Sequence, residues 1–339
     1  MAGRARALAL TMGEPAGIGP EVALKAWLRR EEHDLPPFVF LGDVALLQAL
    51  ASRHRWLVPV VEVPSMAAGA DTFSHALPVL PVPLAVPPEH ARPDPRNAAA
   101  VIAAIEHGVA LVKAGEARAL VTNPIHKAAL YSAGFTWPGH TEFLGHLDGL
   151  SEAPVMMLAC PDLRVVPVTI HMSLRRALDA LTTAEIIRQT RIVHMALRRD
   201  FGIDRPCLAI AGLNPHAGED GSMGDEERTL IRPAIAALAS EGLTVMGPLP
   251  PDTMFAAHVR GTYDAAICMY HDQALIPIKT LDFAGGTNIT LGLSFIRTSP
   301  DHGTAFDIAG NGSADPSSLM AALRQAASMA DHRAAWRAA

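Results

Sequence analysis

Nowhere in the 339 residues is there a run approaching the roughly 20 apolar residues that a membrane helix needs. The stretch Ala7 to Leu10, behind the basic pair Arg4 and Arg6, is too short for a signal peptide, so the expected location is the cytoplasm. Cysteine is scarce: Cys160, Cys207 and Cys268 lie far apart in apolar sequence, which excludes a disulfide framework and reads as reduced, buried thiols. Basic charge is short as well. Lys and Arg number 28 against 34 Asp and Glu, and a net charge of −6 offers no footprint for nucleic acid or an anionic membrane. Any anion bound here must be held by a local cluster of donors. Two nucleotide signatures are also missing. A G-x-G-x-x-G run from Gly17 and Gly19 would need glycine at position 22, which is Val22, and no G-x-x-x-x-G-K-[ST] run occurs. There is no internal repeat, and no low-complexity tract beyond a general richness in alanine.

What is present suits a globular chain: 50% hydrophobic and 18% charged residues, over a length that fits two domains of about 150 residues each. Short apolar runs alternate with longer helical patterns, the rhythm of βα units and a mostly parallel sheet. Strands are expected at Ala7–Thr11, Phe38–Leu41, Ala119–Thr122, Val165–Ile170, Leu208–Leu213, Thr244–Met246, Ala265–Met269 and Asn288–Leu291. Helices are expected at Ala98–Ala114, Ala184–Arg199, Glu226–Ser240 and Ser317–Ala330. Thr182 and Glu185 have capping-box spacing, and Asp315-Pro316 reads as cap and first position of the last helix. The seven prolines from Pro78 to Pro95 predict a surface connection without interior helix or central strand. The fold class expected is α/β in two domains: a discontinuous first domain from 1–128 and 275–339, and a middle domain over 129–274.

Three histidines share one context, each following an apolar strand-like run: His171 after Val-Pro-Val-Thr-Ile, His216 after Ala-Gly-Leu-Asn-Pro, and His271 after Ile-Cys-Met-Tyr. In open parallel sheets ligands bind outside the carboxyl ends of strands, so three imidazoles delivered there can converge on one cation. Taken singly, each histidine reads as a polar strand terminus; taken together, the three read as metal ligands. Cys268, three residues before His271, reads as a buried strand residue rather than a fourth ligand. Carboxylates surround the histidines: Glu219, Asp220, Asp252 and Asp272. Asp252 and Asp272 are the candidates to orient an imidazole or relay a proton, with helix caps and solvated loops as the alternative. Lys279, Asn288 and Arg297, nine residues apart in apolar company, suit an anion, and His140-Thr141-Glu142 adds donors in a turn. Ordinary snorkelling would place the same side chains there. The segment His302–Gly310 has glycines that permit close backbone approach, and Asp307 could hydrogen-bond a ribose or cap the following turn.

Taken in order, Met12-Gly13-Glu14-Pro15-Ala16-Gly17, Thr122-Asn123-Pro124, Gly139-His140-Thr141-Glu142, Leu213–Glu219, Tyr270-His271-Asp272-Gln273 and Ile296-Arg297-Thr298-Ser299 resemble the motif series of the 4-hydroxythreonine-4-phosphate dehydrogenases. With the stretch ending at Gly310, the likeness runs from residue 7 to about 325. That stretch also resembles the cofactor loop of isocitrate and isopropylmalate dehydrogenases, which bind NAD without a Rossmann fold. The resemblance implies a two-domain α/β/α subunit, a homodimer, and active sites in an interdomain cleft completed by the second subunit. It implies a divalent metal (zinc, magnesium or cobalt) on His171, His216 and His271, one of them coming from the other subunit. Substrate would meet His140, Thr141, Lys279, Asn288 and Arg297. NAD, or NADP, would lie on Gly303, Thr304, Ala305 and Asp307 of the first domain, with the metal ligands and dimer interface in the middle domain.

The implied reaction is NAD-dependent oxidation and decarboxylation of 4-phosphooxy-threonine, in pyridoxal phosphate synthesis. A sister activity on a phosphorylated four-carbon sugar acid such as 4-phosphothreonate is the near alternative, and a metal-dependent hydrolase the distant one. Two positions depart from the family pattern beside the implied substrate contacts: Thr287 before Asn288, where valine is usual, and Ser294, where proline is common.

Overall fold

A computed structural model describes residues 6–338; Arg4 of the N-terminal basic pair lies outside them. Among the described residues the strands are β1 (Leu8–Thr11), β2 (Phe38–Gly42), β3 (Val60–Glu62), β4 (Leu77–Pro81), β5 (Leu120–Thr122), β6 (Val155–Cys160), β7 (Leu163–Thr169), β8 (Cys207–Ala211), β9 (Thr244–Leu249), β10 (Ala265–Tyr270), β11 (Thr287–Leu291) and β12 (Arg297–Pro300). All eight strands expected from the apolar runs are present, and β3, β4, β6 and β12 are additional. Among the described residues no helix is long and apolar enough to cross a membrane.

The chain forms two compact units, Met1–Pro154 with Leu293–Ala330, and Val155–Gly292 with Asp331–Ala339. In the first, the strand order is β3-β4-β2-β1-β5-β12, and every pairing is parallel. Its core strands read as continuous apolar runs, as a sheet covered on both faces requires: Leu8, Leu10, Phe38 and Phe40 are fully buried. The helix Ala98–Lys113 buries Val101, Ala104, Ile105 and Gly108, spaced at helical period. A Cβ on Gly108 would stand 2.6 Å from Leu120 Cδ1 on β5, so a larger residue there would force that buried side chain to shift.

The proline-rich segment departs from expectation at its start, since β4 is paired on both sides. Amides of a parallel strand alternate between neighbours. Leu77 N–H donates to Pro59 on the β3 side, and Val82 N–H donates to Gly42 on the β2 side. Pro78 therefore faces β2 one residue before that ladder begins, and Pro81 faces β3 beyond the end of that one. Neither ring removes a ladder bond. Further along, the Asn97 side chain both donates to Val86 O and accepts from Val86 N, at 3.1 Å each, tying the irregular part down.

The second unit orders its strands β11-β6-β7-β10-β8-β9, with β11 and β6 antiparallel to their neighbours and the rest parallel. Leu158, Val165, Ala209, Ala266 and Cys268 pack with Ala274 and Ile278 of the helix His271–Leu281. The helix Thr183–Phe201 starts on the expected cap, Thr182 Oγ1 accepting from Glu185 N at 3.2 Å, and stops at left-handed Gly202.

The unit boundaries differ from those expected at 128/129 and 274/275. Residues 129–154 stay with the first unit because the helix His140–Asp148 packs on Ala98–Lys113, with Lys113 Nζ 3.4 Å from the Asp148 carboxylate. Residues 275–292 stay with the second because β11 pairs along β6. The final turns of the helix Ser317–Ala338 join it through Arg333, whose guanidinium donates to buried Asp200 at 2.6 and 2.7 Å.

Candidate active site

The three histidine-bearing strands are neighbours. β7, β10 and β8 lie side by side and parallel, so all three deliver their following residues to the same edge of the second unit's sheet. Thr169 Oγ1 donates to Met269 O at 2.8 Å, fastening the ends of β7 and β10 together. His171 and His271 then stand with ring centroids 6.0 Å apart, beside a cavity of about 380 Å³. His271 opens its helix directly after β10, and its Nδ1 is 2.7 Å from Asp272 Oδ1. A carboxylate on Nδ1 leaves Nε2 as the ligating nitrogen and fixes the ring's orientation, the usual arrangement behind a metal-bound histidine. Two imidazoles at this separation can both reach one cation at bonds of about 2.1 Å. These two imidazoles therefore suit one divalent metal. Among the described residues, however, no three His, Cys, Asp or Glu side chains form one metal-holding group. Cys268 is buried in the core of β10, and burial pushes its thiol well above the ordinary range, so it stays a packing residue.

His216 is carried differently. It lies in the turn Pro215–Gly221 after β8, where His216, Ala217, Glu219 and Asp220 all take left-handed φ values of 52°, 52°, 41° and 54°, around Gly218 at 78°. Left-handed backbone costs a non-glycine residue roughly 1–2 kcal/mol, so this run must be held from outside. His171 is left-handed too, at φ 51°. Asp252 is exposed on the short helix Pro251–Met254, which packs beside this turn, and its carboxylate makes no side-chain bond among the described residues.

In the first unit, Arg297 opens β12 and is almost completely buried. Its Nε and Nη2 donate to Thr122 Oγ1 at the end of β5, at 3.1 and 2.6 Å. Burial pushes the guanidinium down to about 10, still charged at neutral pH. His140, first residue of its helix, has a buried Nε2 without a partner. Its pKa is held well below the imidazole range, first by burial and then by the positive charges of Arg297 and Lys127. A neutral imidazole with one open nitrogen beside a buried cation is suited to a phosphorylated or carboxylated ligand. Thr141 follows on the same first turn. Asn288, on β11 of the second unit, likewise has a buried Oδ1 without a partner, and Lys279 places its ammonium 5.5 Å from the Phe283 ring centre.

Sequence reasoning passed over His126 and Lys127, which follow β5 at its carboxyl end. His126 has a buried, unpartnered Nδ1 and stands edge-on to Phe306, centroids 5.1 Å apart. The Lys127 ammonium lies 3.4 Å from where a Cβ on Gly139 would be. Their position after Thr122-Asn123-Pro124 was the available signal.

The segment from 302 to 310 is anchored on the glycine-rich turn after β1. Ile18 N–H donates to Thr304 O at 3.1 Å, and a Cβ on Gly17 would come 2.9 Å from the same oxygen. Ala305 is left-handed at φ 43°, and Gly310, at φ 74°, lies against the His90 ring. Gly303 has nothing near its Cα, so the chain's own packing makes no demand for glycine there. Asp307 is exposed, and among the described residues its carboxylate accepts no hydrogen bond from the turn that follows it.

A protein-family model described as the pyridoxal phosphate biosynthetic protein PdxA matches residues 34–326. The chain belongs to this family. It is 54% identical over 336 residues to a 4-hydroxythreonine-4-phosphate dehydrogenase of Bradyrhizobium diazoefficiens, covering 96% of this chain and 97% of that protein. To the protein of the same description from Methylorubrum populi it is 53% identical over 340 residues, covering 98% and 97%. Among solved structures, 4-hydroxythreonine-4-phosphate dehydrogenase from Klebsiella pneumoniae superposes with a TM-score of 0.85 at 38% identity, covering 96% of this chain and 99% of that one.

The two departures from the family pattern have local explanations. Ser294 donates from both N–H and Oγ to the Asp148 carboxylate, so its hydroxyl anchors the loop before β12. Thr287 is buried as the first residue of β11, a position that a β-branched side chain of valine's size fills.

Proposed function

We propose that this PdxA-family protein is a 4-hydroxythreonine-4-phosphate dehydrogenase. It oxidises 4-phosphooxy-threonine with NAD and releases carbon dioxide, giving 3-amino-2-oxopropyl phosphate for pyridoxal phosphate synthesis. As a dehydrogenase it uses a nicotinamide cofactor, and we assign NAD ahead of NADP. We place it in the cytoplasm as a homodimer, the second subunit completing each metal site.

One observation carries the reading: three histidines leave the same edge of one sheet on adjacent parallel strands, and one of the two that meet is already oriented by a carboxylate. A divalent cation on His171, His216 and His271, when bound, supplies a Lewis acid that eases ionisation of the substrate hydroxyl and stabilises the enolate left by decarboxylation. Arg297 and Lys279 bind the substrate's phosphate and carboxylate, and His140, Thr141 and Asn288 offer polar atoms to its remaining oxygens. This remote binding energy holds the reacting carbon in place. Asp272 keeps the proton on His271 Nδ1, so Nε2 stays a ligand. Asp252, open and close to the His216 turn, is assigned the hydroxyl proton while hydride passes to NAD. Gly303, Thr304, Ala305 and Asp307 are assigned to the cofactor, with the Asp307 carboxylate toward ribose hydroxyls.

The test is a steady-state assay of NADH formation with 4-phosphooxy-threonine against 4-phosphothreonate. A kcat/KM at least tenfold higher for 4-phosphooxy-threonine is expected. The reverse preference would assign the sister activity, and hydrolysis without NADH would exclude both.

A further inference from the structure

A left-handed run of four non-glycine residues does not persist unless its surroundings determine it. Among the described residues the determinant is Glu227, which opens the π-helical turn Glu227–Ile231 and is only 3% exposed. One carboxylate oxygen accepts from Leu213 N and Asn214 N, both at 2.7 Å, just before the turn begins. The other accepts from Asn214 Nδ2 at 2.9 Å, which Glu226 also receives at 2.7 Å. Gly218, midway through the run, packs so closely on this carboxylate that a Cβ would come 2.5 Å from Oε2. The turn then closes on itself, Ala217 N–H donating to Asn214 O at 3.1 Å and Met223 N–H to Gly218 O at 3.2 Å.

We infer that Glu227 is the positioning residue for His216, its buried carboxylate holding the strained turn in the shape that presents the imidazole for metal binding. The inference rests on the reading of His216 as a ligand. Glu227 touches neither the histidine nor a substrate; it acts through the backbone. A glutamine there could still accept from the two amides, but its own NH₂ would face the Asn214 NH₂, and the clamp would open.

The experiment is Co²⁺ binding to the full-length protein, read by titration and by the cobalt visible spectrum, beside a thermal melt. Glu227→Gln should bind Co²⁺ about ten- to hundredfold more weakly, as loss of a supporting contact behind a ligand does, and with an altered spectrum at temperatures where it is fully folded. Adding Ala217→Gly, which relieves left-handed strain, should recover part of that affinity at temperatures where the single variant is already fully folded; a residue needed only for general stability would show no affinity loss there to recover. If Glu227→Gln does not fold, Glu227→Asp, which keeps the charge but shortens the reach, should show a smaller loss in the same direction. A folded variant with wild-type affinity and spectrum overturns the inference. Failure of the underlying reading looks different: the wild-type protein would bind no Co²⁺, or His216→Ala would bind it unimpaired.

Discussion

Replacing Arg297 by methionine separates what the residue does for the fold from what it does for the ligand. In the unliganded protein the drop of the guanidinium from its ordinary range to about 10 corresponds to roughly 3 kcal/mol of penalty on the charged, folded form. For a basic group with a depressed folded pKa, that penalty is fully present below about 10 and disappears only above the unfolded pKa, so it acts throughout any neutral assay. Methionine fills a similar volume without charge. The loss on the other side includes the bonds to Thr122, worth about 0.5–1.5 kcal/mol each. The variant should therefore melt close to wild type, the relieved penalty offsetting the lost bonds. Substrate binding should weaken by the roughly 1.5–3 kcal/mol of a charge-assisted pair, or about ten- to hundredfold in affinity. NAD affinity should barely change. The assays are a thermal melt without ligand and calorimetric titration of substrate and of NAD. An Arg297→Met protein that binds substrate as wild type does would refute the assignment of this cation to the ligand.

Three further outcomes follow from the same site. Dialysis against a chelator should abolish turnover and leave circular dichroism and the melting curve essentially intact, because the strands carrying the histidines have apolar cores behind them; unfolding on chelation, or full activity without metal, would contradict the site. His140, neutral in the folded state because burial and two nearby cations depress its pKa, binds its proton more readily when unfolded. Urea-unfolding stability should therefore fall as pH drops below about 6.5, and His140→Gln should flatten that slope between pH values of about 5.5 and 7.5; an unchanged slope would show that the residue is not held neutral. Asp307→Ala should narrow the ratio of kcat/KM for NAD over NADP without moving the melting temperature, since the carboxylate supports no local bond, and an unchanged ratio would remove Asp307 from the cofactor site.

Much of this protein is determined by local sequence. The short apolar runs bounded by polar turns that were read as strands are strands, because a sheet covered on both faces removes their apolar surface from water. The histidines just after β7 and β10 were legible for the same reason: a polar residue closely following such a run emerges at a strand terminus, whereas His216 lies five residues beyond β8, in a turn. Thr182 caps its helix as its spacing to Glu185 predicts. What local sequence did not contain are the outcomes of pairing and long-range contact. β12, Arg-Thr-Ser-Pro, has no apolar character and is a strand because β5 offers it a ladder and Thr298 donates to Ala322 O. β4 tolerates its prolines only because both ladders run out where the missing amides fall.

The unit boundaries moved for a comparable reason, β11 following its partner β6 rather than its neighbours in the chain. The decisive features of the site are also tertiary. Nothing near Arg297 or His140 in sequence says that the two share a buried place, and nothing in Pro-His-Ala-Gly-Glu-Asp says that it winds left-handed. Local preference opposes that turn at four residues. It forms because a carboxylate that begins a different helix reaches back to clamp the two amides just before it, so the shape that presents His216 is imposed by tertiary contact against the intrinsic preference of the residues that adopt it.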